Sequence, residues 1–385
     1  MATIAHKGHH AHFHHAIDLV LSFIKKNAVL CIALLAAFVT SIIVPPDKAY
    51  LDYFDFKTLT CLFCVLAVVC AFKNIRFFFA LAQKIVRVFK TTRASILALC
   101  YVTFIGSMLI ANDMALLTFL PLGYFVLSST GKNKYMAFTF IMQNIAANLG
   151  GMLTPFGNPQ NLYLYTKFHI PTGDFVLTML PPFLISVTLI TLSCFLFVKK
   201  ENLEIGEEKI SLPKARTVIY GLLFALSIII VFRWIPYWTG LIIIPIVLLI
   251  MDRKALAQVD YGLLFTFVAF FIFSGNMARI PAIQNAFEYL MEKNALLVST
   301  ASCQVISNVP SAILLSQFTG DYHALLLGVN IGGCGTLISS LASLITFREF
   351  TKHEPKGAKK YLLLFSAFNF AFLFILLGAC ALLLL

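Results

Sequence analysis

Apolar residues run in blocks of about 16 to 25 along most of the chain, the length that roughly 30 Å of hydrocarbon demands of a helix. Polar residues are confined to short stretches between the blocks. This pattern predicts helical spans at 27–44, 57–72, 176–198, 217–232, 236–251, 261–276 and 361–385. Four further stretches are apolar but interrupted. Residues 135–166 and 322–346 read as broken helices, and 95–127 and 295–318 read as re-entrant hairpins. The arm from Ser95 to Ala111 would rise on the order of 25 Å as a helix, enough to reach about the bilayer middle and turn back.

Composition excludes a soluble domain: 60% of the 385 residues are hydrophobic, 12% are charged and 38 are Phe, with a mean hydropathy of +0.89. The expected class is an all-α polytopic membrane protein. A net charge of +12 would point to nucleic acid in a soluble chain. Here it reports topology, because with the N-terminus inside, 23 of the 29 Lys and Arg fall on inner segments, as the positive-inside rule favours. The expectation is a multi-pass protein of the cell membrane with a cytoplasmic N-terminus, lipid around it and no nucleic-acid partner. Residues 1–26 form a His-rich tail (His6, His9, His10, His12, His14, His15) without a cleavable signal pattern, read as a solvated terminus. Nine scattered cysteines read as small buried hydrophobes.

The chain also repeats itself. ANLGGMLTPFGNPQNL at 147–162 lies without a gap over VNIGGCGTLISSLASL at 329–344, pairing Asn148 with Asn330, Gly150 and Gly151 with Gly332 and Gly333, and Thr154 with Thr336. Upstream, ANDMALLTFLPL at 111–122 corresponds to SNVPSAILL at 307–315, and DFKTL at 55–59 to DYGLL at 260–264. Counting crossings makes the second half start on the opposite side, so the repeats are inverted. The organisation is a tail (1–26), a first inverted repeat (27–198), a linker with one crossing helix (199–235) and a second inverted repeat (236–385). Two stretches, 77–90 and 282–293, precede the hairpins and read as interfacial helices.

Lipid cannot hydrogen-bond an unwound backbone, so paired interruptions at midplane depth point to a transporter site. The substrate-binding candidates are Asn112, Thr154, Asn158, Asn308, Ser311, Thr336 and Ser339. The ion-coupling candidates are Asp113, Asn112, Asn148, Gly151, Ser307, Asn308, Asn330 and Gly333. Asp113 is the acid expected at midplane depth, where a carboxylate suggests a proton relay or a cation ligand; the alternative role is a helix N-cap. No Lys or Arg stands at the tips, so an anion would have to be met by helix N-termini and amides. No catalytic residue, cofactor or fixed metal is expected, and the chain carries no Walker sequence, HExxH or G-x-S-x-G. Sodium or protons would be the coupling ion.

Together these motifs resemble the ion transporter superfamily, which includes citrate-transporter-like permeases, divalent anion/sodium symporters, arsenite and antimonite efflux permeases and sodium/proton antiporters. The resemblance implies alternating access of a transport domain carrying both hairpins. In the symporters a Ser-Asn-Thr signature at each tip contacts substrate carboxylates and sodium. Here the second tip keeps Ser307 and Asn308, with the hydroxyl moved to Ser311, while the first reads Ala111, Asn112, Asp113. Two readings stay open: cation-coupled transport of a small organic or inorganic anion, or proton- or sodium-linked export of arsenite, antimonite or sodium. A channel or membrane enzyme is the remote alternative from another class. A second copy of the chain is an admissible partner.

Overall fold

A computed structural model describes residues 27–203 and 211–384; the His-rich tail lies outside them. Each predicted span is a helix. In chain order they are α1 (Ala28–Ile43), α2 (Phe56–Asn74), α3 (Phe77–Arg87), α4 (Thr92–Ile110), α5 (Asn112–Ser129), α6 (Met136–Gly150), α7 (Pro159–Lys167), α8 (Thr172–Phe197) and α9 (Lys214–Val231). There follow α10 (Tyr237–Met251), α11 (Arg253–Ala257), α12 (Tyr261–Ala278), α13 (Pro281–Ile306), α14 (Asn308–Leu315), α15 (Tyr322–Ile331), α16 (Leu341–His353) and α17 (Ala358–Leu383). Six are long and apolar enough to cross a membrane, and α4 is among them. Its 19 residues rise about 28 Å, so length alone would let this arm span.

Three acids that directly precede helices are caps, since a side-chain oxygen at the N-cap satisfies an orphan backbone N–H. Asp55 accepts from Thr58 N at 2.9 Å, Asp260 from Leu263 N at 2.9 Å and Asp321 from Ala324 N at 3.1 Å. In α13 the backbone leaves helical geometry at Asn294, whose Oδ1 accepts from Leu297 N at 2.8 Å and restarts the helix. Thus a surface segment, 281–293, is followed by a separate arm, 295–306, as α3 is followed by α4.

The described chain forms two compact units. In the smaller, residues 27–54 and 260–284, α1 and α12 pack along each other. Asn276 on α12 donates to Thr40 Oγ1 and Ser41 Oγ on α1, and Arg279 pairs with Asp47, both carboxylate oxygens engaged. Asp47 sits outside the spans, and the hydrogen-bonded guanidinium lowers its pKa. The larger unit, 55–259 and 285–384, holds every break. Its α4 and α5 fold back on each other through Ala111, and the arm 295–306 and α14 do so through Ser307.

A strap closes the open end of the first of these hairpins. After α8 the chain bonds back to the base of α4: Arg93 Nε donates to the Val198 carbonyl at 2.8 Å, Thr92 N to the Glu201 carbonyl at 2.8 Å, and Leu203 N to the Lys90 carbonyl at 2.9 Å. Thr91 and Asn202 form an antiparallel bridge. The Glu201 carboxylate meanwhile reaches Lys132, just past the end of α5, and Lys134 at 2.9 Å, before α6. These two ammonium groups, Lys132 first, hold the Glu201 carboxyl down at about 2.

Candidate functional site

Both hairpins turn on a residue whose backbone favours glycine. Ala111 has φ 65° and ψ 153°, and Ser307 has φ 74° and ψ 160°. This is a region non-glycine residues occupy at a cost of roughly 1–3 kcal/mol and mainly at functional sites. The asparagine that opens each returning helix takes up the next backbone N–H in the same way. Asn112 Oδ1 accepts from Asp113 N at 3.0 Å, and Asn308 Oδ1 from Val309 N at 2.9 Å. Asp113 therefore does not serve as the N-cap; it is half-buried in the first turn of α5.

The unwound stretches bind the hairpins by matching contacts. Thr154 Oγ1 donates to the Met108 carbonyl at 2.7 Å, and Thr336 Oγ1 to the Gln304 carbonyl at 3.0 Å; each acceptor stands three residues before its tip. Gly150 presses against Ser107 and the Phe104 carbonyl, Gly332 against Cys303, so tightly that a Cβ at either would overlap its neighbour.

Asn148 is the hub. Its Oδ1 accepts from Asn112 Nδ2 at 3.1 Å and from Ser340 Oγ at 2.8 Å, its Nδ2 donates to the Gly333 carbonyl at 3.4 Å, and its own carbonyl accepts from Asn158 Nδ2 at 3.3 Å. One amide thus joins the first tip, both unwound segments and the start of α7. Its repeat partner Asn330 donates to Asn161 Oδ1 at 2.6 Å and accepts from Asn158 at 3.4 Å and from Gln160 at 3.5 Å. The second tip docks on the second unwound stretch: Asn308 N donates to the Ser339 carbonyl at 3.0 Å and Ser307 Oγ to the same oxygen at 3.3 Å. Ser339 Oγ in turn donates to the Gly333 carbonyl at 2.9 Å, and the Gly151 carbonyl accepts from Asn161 Nδ2 at 3.1 Å.

Ser311 hydrogen-bonds within the second hairpin. It lies one turn into α14, buried, and shares a 2.9 Å hydrogen bond with Ser302 on the opposing arm. Sequence reasoning also missed members. Gln304 Nε2 donates to the carbonyls of Gly332 and Cys334, and its Oε1 accepts from Thr336 N, so this one side chain holds the second unwound segment open. Asn144, fully buried, donates to Ser343 and accepts from Thr346. Gln143 donates to Thr103 Oγ1 on one hairpin arm and to the Phe119 carbonyl on the other. The signal for all three was an amide in an apolar helix.

Electrostatically, the cluster is made of helix ends. The N-termini of α5, α7, α14 and α16 start at Asn112, Pro159, Asn308 and Leu341, while α4, α6, α13 and α15 end at Ile110, Gly150, Ile306 and Ile331. Helix N-termini carry partial positive charge and C-termini partial negative charge, so anion- and cation-attracting groups adjoin. In the first turns of the four starting helices, Asp113 is the one acid.

Broken helices gathered around buried amides in a multi-pass helical protein are the makings of a membrane transporter. The chain belongs to the citrate transporter family (CitMHS), whose pattern it matches over residues 19–319. It is 33% identical over 297 residues to the uncharacterized transporter MJ0456 of Methanocaldococcus jannaschii, with 76% of this chain and 81% of that one covered. It is 30% identical over 283 residues to the inner membrane protein YbiR of Escherichia coli, with 71% and 74% covered.

Proposed function

We propose that this transporter is a secondary active permease of the cell membrane, built from two inverted halves with re-entrant hairpins, that carries a small anion of the citrate or dicarboxylate kind by alternating access. The coupling ion is sodium or a proton. The observation that carries this reading is the meeting of four helix N-termini at a cluster of neutral amides and hydroxyls, which attracts an anion without trapping it in a charge pair. The matching tip conformations, asparagine-to-next-N–H bonds and Thr-to-carbonyl bonds support the pairing of the halves, and the family's name supports the substrate class.

Asp113 supplies the reason for coupling. Two unit negative charges about 5 Å apart at an effective dielectric constant near 20 repel by about 3 kcal/mol. An anion arriving beside Asp113 is therefore disfavoured until a proton or sodium neutralises the carboxylate, so ion and anion bind together. The same carboxylate favours a second reading, proton- or sodium-linked export of arsenite, antimonite or sodium, in which Asp113 itself carries the exchanged cation. Cys303 and Cys334 add little to it, since both are buried and Cys303 is packed on Gly332.

The deciding measurement is the melting temperature of the purified protein with citrate, succinate, sulfate and arsenite, with and without sodium and at two pH values. A ligand at a hundred times its dissociation constant adds roughly 2.7 kcal/mol to the folded state. Stabilisation by a carboxylate that grows with sodium or at low pH supports the anion symporter. Stabilisation by arsenite or sodium alone, lost in Asp113→Asn, replaces it with the exporter.

A further inference from the structure

Three buried amides of the two broken helices fix one another's orientation. Asn330 Nδ2 donates to the Leu326 carbonyl at 2.8 Å and to Asn161 Oδ1 at 2.6 Å. A carbonyl can only accept, so the Asn330 amide cannot be turned over, and its Oδ1 faces the start of α7. Asn158 Nδ2 donates to that oxygen at 3.4 Å and to the Asn148 carbonyl at 3.3 Å, and Gln160 Nε2 donates to it at 3.5 Å. With both NH2 groups held by Asn330, the two residues turn their own oxygens away from it. Each residue is 1% exposed, and neither Asn158 Oδ1 nor Gln160 Oε1 meets a hydrogen-bond donor among the described residues.

A buried acceptor without a donor is costly, and these two stand on either side of Pro159, at the N-terminus of α7. Gly151 lies against one of them: a Cβ there would come within 2.3 Å of Asn158 Oδ1, so only glycine leaves this oxygen its place. The position makes two demands at once. A helix N-terminus carries partial positive charge and favours an anion, while amide oxygens accept only and need a donor. A sodium ion meets the second demand and is opposed by the first. A plain carboxylate meets the first and brings yet more acceptors to the second. A hydroxylated carboxylate meets both, its charge at the helix end and its hydroxyl proton on the amide oxygens. We infer that Asn158 and Gln160 form a hydroxyl-reading subsite, through which the permease selects hydroxy-carboxylates over their deoxy counterparts. This rests on the anion-transport reading above and adds to it the feature by which the anion is chosen.

The test uses two matched pairs of ligands, citrate with tricarballylate and malate with succinate, whose members differ by one hydroxyl. Each is titrated against the melting temperature of the purified full-length protein, with and without sodium, at a pH where every carboxyl is ionised so that no protonated carboxyl stands in for the hydroxyl. The expected result is tighter binding of the hydroxylated member in at least one pair, by roughly 5- to 150-fold, the factor that an unpaired buried acceptor is worth. Gln160→Met, similar in length and without an amide oxygen, should shrink that ratio by weakening the hydroxylated ligand and leaving the deoxy one little changed. A ligand-free melting temperature near the parent's shows that the variant is folded, and the wild-type comparison stands without it. Equal binding within both pairs in wild type, or a hydroxyl preference unchanged in folded Gln160→Met, overturns the proposal and leaves anion transport intact. Stabilisation by sodium alone that is lost in Gln160→Met gives the oxygens to a cation and also overturns it. No stabilisation by any of the four carboxylates overturns it together with the anion reading.

Discussion

Asn148 concentrates four hydrogen bonds on one side chain and its carbonyl. Its removal leaves buried donors and acceptors without partners, each costing about 1–3 kcal/mol. Asn148→Ala should lower the melting temperature and abolish stabilisation by any ligand of the cluster; Asn330→Ala, bonded chiefly to α7, should cost stability in similar measure. Ala111 gives the opposite sign. Strain of roughly 1–3 kcal/mol at its positive φ outweighs the 0.4–1 kcal/mol or so by which glycine stabilises the unfolded chain. Ala111→Gly should therefore raise the melting temperature, by an amount worth about 1 kcal/mol, while Ala111→Val lowers it. Asp113→Asn should remove the dependence of anion binding on sodium or pH and leave folding intact, read from the same melts.

At the scale of elements, most of the architecture could be read from the residues. Runs of apolar residues placed the spans, and glycines paired with asparagines located the breaks, because only a few side chains can cap or unwind a helix inside hydrocarbon. Gln304 escaped because its partners lie 28 to 32 residues away, a distance that no local pattern encodes. Ser311, close to the tip in sequence, lies one turn into α14. Glu201 has its lysine partners 67 and 69 residues away, beyond any local pattern. Its carboxyl is depressed to about 2 by the two lysines, so the stability it contributes is present above the unfolded carboxyl range, near 4.5, and is lost as pH falls through about 2. Glu201→Gln should thus melt below wild type at neutral pH, with the gap closing as the pH drops from about 4.5 toward 2. A disulfide between Thr91→Cys and Asn202→Cys, across the antiparallel bridge, should leave ligand stabilisation unchanged if the hairpin base stays closed through the cycle. Loss of stabilisation on oxidation, restored by reductant, would show that the base opens.

For the whole molecule, we propose from the bias of Lys and Arg toward one set of loops and the count of crossings that the N-terminus lies in the cytoplasm and the C-terminus outside. Alkaline phosphatase fused after Leu385 should be active, and a green fluorescent protein at the same point dark; the reverse pattern would require an extra or a missing crossing. The distribution of hydrogen bonds also bears on how the protein is made. Asn148 and Gly333 are separated by 185 residues, so at ribosomal rates of about 5–20 residues per second the hub amide waits roughly 10–40 s for its partner. During that interval Asn148, Asn158, Gln160 and Asn161 lack the second-half groups that later bond to them. Substitutions that slow or weaken completion of the second half should then act on biosynthesis, exposing unpaired buried amides to membrane quality control before any transport cycle has begun.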